Sequence, residues 1–314
     1  MSASLPVVFI MGATASGKTA VAMELVGQIG ADIVSVDSAM IYRGMNIGTA
    51  KPTAEELKRA PHSLVDILDP VESWSVGEFC EAARVEIAQS HSHGRIPLLT
   101  GGTMMYFKAL EQGLNELPRA SAEVRAEINE RAVKHGWPAV HAELAEHDPE
   151  AASRIHENDS QRIQRALEVF LVSGTPLSIL QAEQSTGLEY PTIKCVLQTS
   201  ERAELHRRIG QRFDLMMEEG LLEEVGSLFD RVDLHSDLPS IRSVGYRQLW
   251  AHLDGQCSLE EAVEKAKTAT RQLAKRQMTW LRSMENLHVF EGGDASVAGA
   301  IRQLIGDASE SCAR

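Results

Sequence analysis

Eight consecutive residues, Gly12, Ala13, Thr14, Ala15, Ser16, Gly17, Lys18 and Thr19, fill every fixed position of the phosphate-binding pattern G-x-x-x-x-G-K-[ST]. Such a loop turns successive backbone N–H groups and the start of the following helix toward one point, where they favour a polyphosphate. Lys18 adds a mobile positive charge, and the Thr19 hydroxyl is the expected ligand of a Mg²⁺ ion. The implied chemistry is the handling of a di- or triphosphate. A kinase, an NTPase and a transferase that releases diphosphate all stay open, because a diphosphate ester presents nearly the same oxygens as the terminal phosphates of ATP. Asp37, closing a short β-type run, either holds that metal through water or serves as a general base. Ser38 beside it brings a hydroxyl, and the polar, glycine-punctuated stretch 37–52 reads as a ligand-contacting loop. Gly101, Gly102 and Thr103 end another apolar run, where the glycines admit close backbone approach and Thr103 offers a hydroxyl.

Cations gather in four further places. On a helix turning about 100° per residue, Lys267, Arg271, Lys275 and Arg282 fall within an arc of about 80°, with Ala269, Leu273, Trp280 and Met284 opposite as the expected core face. No Asp or Glu occurs between Ala266 and Met284, whereas solvated faces usually mix signs, so the stripe, with Arg276 beside it, is read as a contact for a nucleic-acid backbone. Gln161, Arg162, Ile163, Gln164 and Arg165 open a helix with Ile163, Ala166, Leu167 and Phe170 on its apolar side; this suits bases and phosphates, or a plain surface helix. Arg202, Arg207, Arg208 and Arg212 follow the run ending at Gln198, where an arginine would close over a diphosphate with bidentate contacts. Arg242, Ser243, Val244, Gly245, Tyr246 and Arg247 combine cations, a glycine turn and an aromatic, which either clamp a nucleotide or form a packing turn.

The elements that must position these groups are legible as apolar runs. Residues 6–11, 31–37, 96–100, 193–198 and 288–290 read as strands, and 20–29 as the helix after the phosphate loop. Strands alternating with helices predict an α/β fold: a P-loop NTPase-like parallel sheet covered by helices. Ligands sit beyond the carboxyl ends of such strands, where Gly12, Asp37 and Gly101 fall. Residues 122–132, 139–146 and 159–173 read as helices, so 115–190 is expected to be a helical insertion domain within a core of 1–114 and 191–314. Residues 309–314 are expected to form a mobile tail.

The chain has 314 residues, 43% hydrophobic and 24% charged, as in a water-soluble globular protein. No apolar stretch approaches the ~18 residues of a membrane helix and no signal-type leader is evident, so a cytoplasmic enzyme without membrane contact, and a monomer, is expected. Cys80, Cys195, Cys257 and Cys312 are scattered and away from histidines, which predicts free thiols rather than disulfides or zinc. The net charge of −13 argues against nucleic acid only if charge is evenly spread, and here the basic helix is segregated from acidic segments.

Taken together, residues 12–19, 37–52, 99–103 with Tyr106 and Phe107, 161–165, 212–214 with Gly220 and Leu221, 244–247 and 275–282 resemble the bacterial tRNA dimethylallyltransferase (tRNA isopentenyltransferase) family, in its order and over nearly the whole chain. The resemblance implies transfer of a dimethylallyl group from dimethylallyl diphosphate to N6 of the adenosine 3′ of the anticodon, with the insertion gripping the tRNA anticodon stem-loop. By position it implies that residues 12–19 and Arg212 hold the diphosphate, Thr19 holds Mg²⁺, Asp37 is the base, and Lys18 and Thr103 join the catalysis. It further implies RNA contacts by Asp37, Ser38, Ala39, Met40, Thr103, Arg125, 161–165, 242–247, Lys267, Arg271, Lys275, Arg276 and Arg282. Met40 stands where the family often has Gln or Leu, and Asn46 where Asp is frequent; neither change removes a group the chemistry needs. The zinc finger of eukaryotic relatives has no counterpart in this sequence. The rivals are a nucleotide or small-molecule kinase, a transferase acting on free adenosine phosphate, and an RNA-binding NTPase switch.

Overall fold

The computed structural model describes residues 5–115, 117–182 and 186–313, with side chains of the last helix described to residue 308. The chain begins β1 (Val7–Gly12), α1 (Lys18–Gln28), β2 (Ala31–Val36), α2 (Ala54–Arg59), β3 (His62–Ser63), α3 (Val76–Ser92), β4 (Ile96–Gly101) and α4 (Met104–Gln112). Five helices follow: α5 (Ala122–His135), α6 (Trp137–His147), α7 (Pro149–Arg154), α8 (Ser160–Ser173) and α9 (Leu177–Ala182). It closes with β5 (Thr192–Gln198), α10 (Arg202–Glu218), α11 (Leu221–Phe229), α12 (Tyr246–Leu253), α13 (Leu259–Arg282), β6 (Leu287–Glu291) and α14 (Val297–Ala313).

All strand pairs are parallel, in the order β3-β2-β4-β1-β5-β6. Alternation along β1 fixes both faces of the sheet. Val7, Phe9 and Met11 pack with Phe79, Ala83 and Ile87 of α3 and Phe107 and Leu110 of α4, while Val8 and Ile10 pack with Val21, Ala22 and Leu25 of α1 and Ile301 and Ile305 of α14. Each large apolar side chain buried this fully stabilises the fold by roughly 2 kcal/mol. Burial on both faces explains why these strands read as unbroken apolar runs.

A third cluster joins α10, α11, α12 and α13 through Phe213, Leu221, Val225, Leu249 and Ala262, and takes in Ile41, Tyr42 and Met45. The loop after β2 is therefore anchored by three buried side chains within its otherwise polar course. Helix α13 starts at a capping box: the Ser258 hydroxyl accepts from the Glu261 N–H, and the Glu261 carboxylate accepts from the Ser258 N–H. With no Gly or Pro in its sequence, that helix continues for 24 residues.

The chain divides into two compact units, residues 1–111 with 188–314 and residues 112–187. The sequence places the divisions three residues later. Leu188 N–H bonds to Glu111 C=O, and Leu188 and Tyr190 pack on the sheet core, which draws them into the first unit. The second unit has its own core of Ile128, Val140, Leu144, Ile163, Ala166 and Leu167. Residues 309–313, expected as a mobile tail, continue α14, and Arg314 lies outside the described residues. Cys80, Cys195 and Cys257 are free thiols; the Cys312 side chain lies outside those described.

Candidate active site

The carboxyl ends of β1, β2 and β4, neighbours in the sheet, release the phosphate loop, Asp37 and Gly102-Thr103 at one edge. They open on a cavity of about 540 Å³, within the range of small-molecule sites. Thr14, Ala15, Lys18, Thr19, Asp37, Ser38, Thr103, Arg212, Arg242 and Arg276 all line it. Ala15 has φ 64°, in the left-handed region that a non-glycine residue enters only under constraint, and this bend helps bring successive N–H groups round to one side. Gly12, Ala13, Ser16 and Gly17 shape the loop from behind rather than lining the cavity. Ser16 is buried and its hydroxyl meets no partner among the described residues.

Lys18 donates to the Ala13 carbonyl at 2.8 Å. Burial, then the nearby Arg212, push its ammonium down to about 8, against the opposing pull of Asp37. Arg212 is likewise lowered by burial and held up by Asp37, and its Nη1 lies 3.4 Å from Thr14 Oγ1. Two cations held down by burial, one of them further lowered by the other, favour an anion placed between them.

Asp37 Oδ1 accepts from the N–H groups of Ala39 at 2.8 Å and Met40 at 3.2 Å, which fixes the carboxylate. Its other oxygen, Oδ2, meets no donor among the described residues. Thr103 Oγ1 accepts from Ser38 N–H at 3.2 Å, tying the ends of β2 and β4 together. Thr19 and Asp37 share the cavity, but no group of three or more His, Cys, Asp or Glu side chains suited to a metal occurs among the described residues. This donor set fits Mg²⁺, which takes few protein ligands and draws the rest from phosphate oxygens and water; it does not fit zinc.

The chain matches the family model for IPP transferase over residues 40–284, and that for isopentenyl transferase over residues 5–69. It is 54% identical over 303 residues to a tRNA dimethylallyltransferase of Thioalkalivibrio sulfidiphilus, covering 96% of this chain and 94% of that one. The chain belongs to the IPP transferase family. Among solved structures, the tRNA isopentenylpyrophosphate transferase of Bacillus halodurans is 37% identical with a TM-score of 0.73, covering 98% of both chains. A eukaryotic dimethylallyltransferase acting on tRNA is 25% identical with a TM-score of 0.82, covering 96% of this chain and 78% of that one. This IPP transferase family member is thus an α/β protein and a transferase of the prenyl-transferring class.

Several residues expected at an RNA surface are placed otherwise in this family member. Ile163 and Tyr246 are fully buried, so neither side chain reaches solvent. Arg125 and Arg165 both grip the buried Glu168 carboxylate, at 2.8 and 2.7 Å, which also accepts from Ser121 N–H. These arginines hold the helical unit together, while Gln161 and Arg162 remain exposed. Lys267 is paired with Asp214 at 2.7 Å and Glu264 at 3.4 Å, its side chain only 14% exposed. Arg271 is half-buried, so of the five cations from Lys267 to Arg282 on α13 it is Lys275, Arg276 and Arg282 that are exposed. Ala269, Leu273 and Trp280 do not form the core face expected of them. The buried side is Ala262, Ala266, Ala274, Gln277 and Leu281, and Leu273 and Trp280 line the cavity.

Two structural contributors escaped the sequence reading. Gln277 accepts from Thr14 N–H and donates to Gly102 C=O, both at 2.9 Å, strapping the phosphate loop to the end of β4. A Cβ at Gly102 would meet the Gln277 amide nitrogen at 2.4 Å, so a larger residue there would push the end of this strap aside. Glu224 accepts from Asn46, Ile47 and Gly48 N–H groups at 2.8, 2.9 and 3.2 Å and from the Tyr246 hydroxyl at 2.6 Å. It thereby holds the cavity-lining segment that includes Gly48, Thr49 and Ala50. The partners on Glu224 are mostly backbone groups, which leave no mark in a side-chain pattern.

Proposed function

We propose that the protein transfers the dimethylallyl group of dimethylallyl diphosphate to N6 of the adenosine 3′ of the anticodon in tRNA, releasing diphosphate. The observation that carries this reading is the gathering of the phosphate loop, Arg212, Asp37 and Thr103 on one cavity that Arg242 and Arg276 also line. A diphosphate ester placed against the N–H groups of the loop, Lys18 and Arg212 would have its allylic C–O bond weakened as negative charge builds on the departing oxygens. Thr19 is the residue to hold Mg²⁺, which when bound neutralises part of that charge. The adenine N6 lone pair is delocalised into the ring, so removal of its proton by Asp37 Oδ2 as the new C–N bond forms is the general-base role that suits an anchored carboxylate with one oxygen open. Thr103, one hydrogen bond from the Asp37 loop, would orient the base. The adenine must leave its stack to enter the cavity, at a cost of about a few kcal/mol offset by contacts elsewhere on the RNA.

Phosphate contacts are assigned to Lys275, Arg276 and Arg282 on α13, to Arg242 and Arg247, and in the helical unit to Gln161 and Arg162, all exposed. Incubating the protein and Mg²⁺ with unmodified tRNA and either dimethylallyl diphosphate or ATP, followed by nucleoside mass analysis, tests the reading. The expected product is N6-dimethylallyl adenosine, from the first mixture alone. Phosphorylated nucleoside from the second, or equal modification of free AMP, would replace it with one of its rivals.

A further inference from the structure

Trp280 lines the cavity and is 39% exposed, although most of a tryptophan is ordinarily withdrawn from water. It belongs to the face of α13 made by Leu273, Arg276, Gln277 and Trp280, whose spacing of i, i+3, i+4 and i+7 turns all four to the same cavity. From α4, Met105 lines that cavity and is 49% exposed. The Lys108 ammonium lies 5.8 Å from the centre of the Trp280 ring. Other lining residues, Ser35, Thr100 and Met104, are each less than a tenth exposed, so the cavity has a deep part and a rim to which Trp280 and Met105 belong.

A part-exposed indole and a thioether on the same rim offer apolar surface, and Lys108, over one side of the ring, and Arg276 add positive charge. Apolar, planar and anionic together describe a nucleotide: a base to stack and a phosphate to pair. We propose that Trp280 and Met105 form a stacking platform for an unpaired nucleobase adjacent to the reactive adenosine, with the intervening phosphate drawn to Lys108 and Arg276. The inference rests on the tRNA reading above and adds a second base-binding subsite to it. The reactive base goes past the rim toward Asp37, and its neighbour stays on the indole. Stacking of this kind tolerates any base, so the platform supplies grip without reading sequence.

The test uses an anticodon stem-loop RNA carrying the fluorescent base 2-aminopurine on one side or the other of the reactive adenosine. Binding to the unaltered protein should quench one of the two positions, Trp280→Phe should keep most of that quench, and Trp280→Leu should relieve it and weaken stem-loop binding about tenfold. Met105→Gln, on the half-exposed partner, should weaken binding by a smaller factor and guards against a folding defect in the tryptophan variant. Equal quench in the unaltered and Trp280→Leu proteins at both positions overturns the platform. So does unchanged RNA affinity in Trp280→Leu with weakened binding of a thiodiphosphate analogue of the prenyl donor, which would put the prenyl chain on the ring. Either result leaves prenyl transfer by the unaltered protein intact. Failure of the parent reading looks different, with neither stem-loop binding nor transfer by the unaltered protein, and the platform falls with it.

Discussion

Asp37 spends one carboxylate oxygen on the N–H groups of Ala39 and Met40 and keeps the other for the cavity. Asp37→Asn retains an oxygen for those two donors while losing the base, so the loop should keep its shape. Single-turnover transfer should slow by about 10²–10⁴-fold with stem-loop affinity little changed. Recovery of the rate at high Mg²⁺ would instead make Asp37 a metal-holding residue. Lys18 gives a second residue-scale expectation. Its ammonium is lowered to about 8 by burial and Arg212, so raising the pH through that value leaves the empty site with a neutral amine. An anion must then bind together with a proton, and affinity for a non-reacting thiodiphosphate analogue should fall by about tenfold per pH unit above it. Titrations from about pH 7 to pH 9.5, spanning that change of charge, would remove Lys18 from the diphosphate site if the affinity stayed flat.

At the scale of elements, the loop after β2 is a shape imposed by α11 and α12. Glu224 satisfies three loop N–H groups and the Tyr246 hydroxyl, and at Gly48 a Cβ would meet the Tyr246 ring at 2.6 Å. All four partners are donors, so Glu224→Gln points an amide NH₂ at groups that need an acceptor. It should lower stability by about 1–3 kcal/mol and raise the KM for RNA more than that for the prenyl donor, whereas Tyr246→Phe removes one donor and should do less. Thermal melts and the KM split check this together. The main strands are legible in the sequence because burial on both faces leaves uninterrupted apolar runs ended by Gly12, Asp37 and Gly101. Strand β3 is not, since two residues carry no pattern. Periodicity places the charged arc of α13 but misassigns its apolar arc: an apolar face toward a cavity and one toward a core look alike in sequence, so Leu273 and Trp280 read as core. Nor does it reveal Asp214, brought to Lys267 from a different helix.

For the molecule as a whole, charge segregation lets a chain of net charge −13 present a basic surface. Lys275, Arg276 and Arg282 stay exposed on α13, while Lys267 is neutralised in place by Asp214 and Glu264. Replacing Lys275 and Arg276 with Gln should weaken all tRNAs alike and flatten the log–log salt dependence by about 0.7–0.9 per lost contact, whereas Lys267→Gln should leave the slope nearly unchanged. An unaltered slope in the double variant would make this a plain solvated face. Among the described residues no helix is long and apolar enough to cross a membrane. In the proposed reaction the phosphate loop holds a leaving group rather than a phosphate donor. A single-turnover reaction of the protein, Mg²⁺, an anticodon stem-loop and isotopically labelled dimethylallyl diphosphate, in which released diphosphate and labelled RNA are counted together, distinguishes the two. One diphosphate is expected for each prenyl group attached, at a single adenosine, and none without the RNA. Diphosphate release uncoupled from RNA labelling, or label on free adenosine phosphate as readily as on the stem-loop, would contradict the proposed reaction.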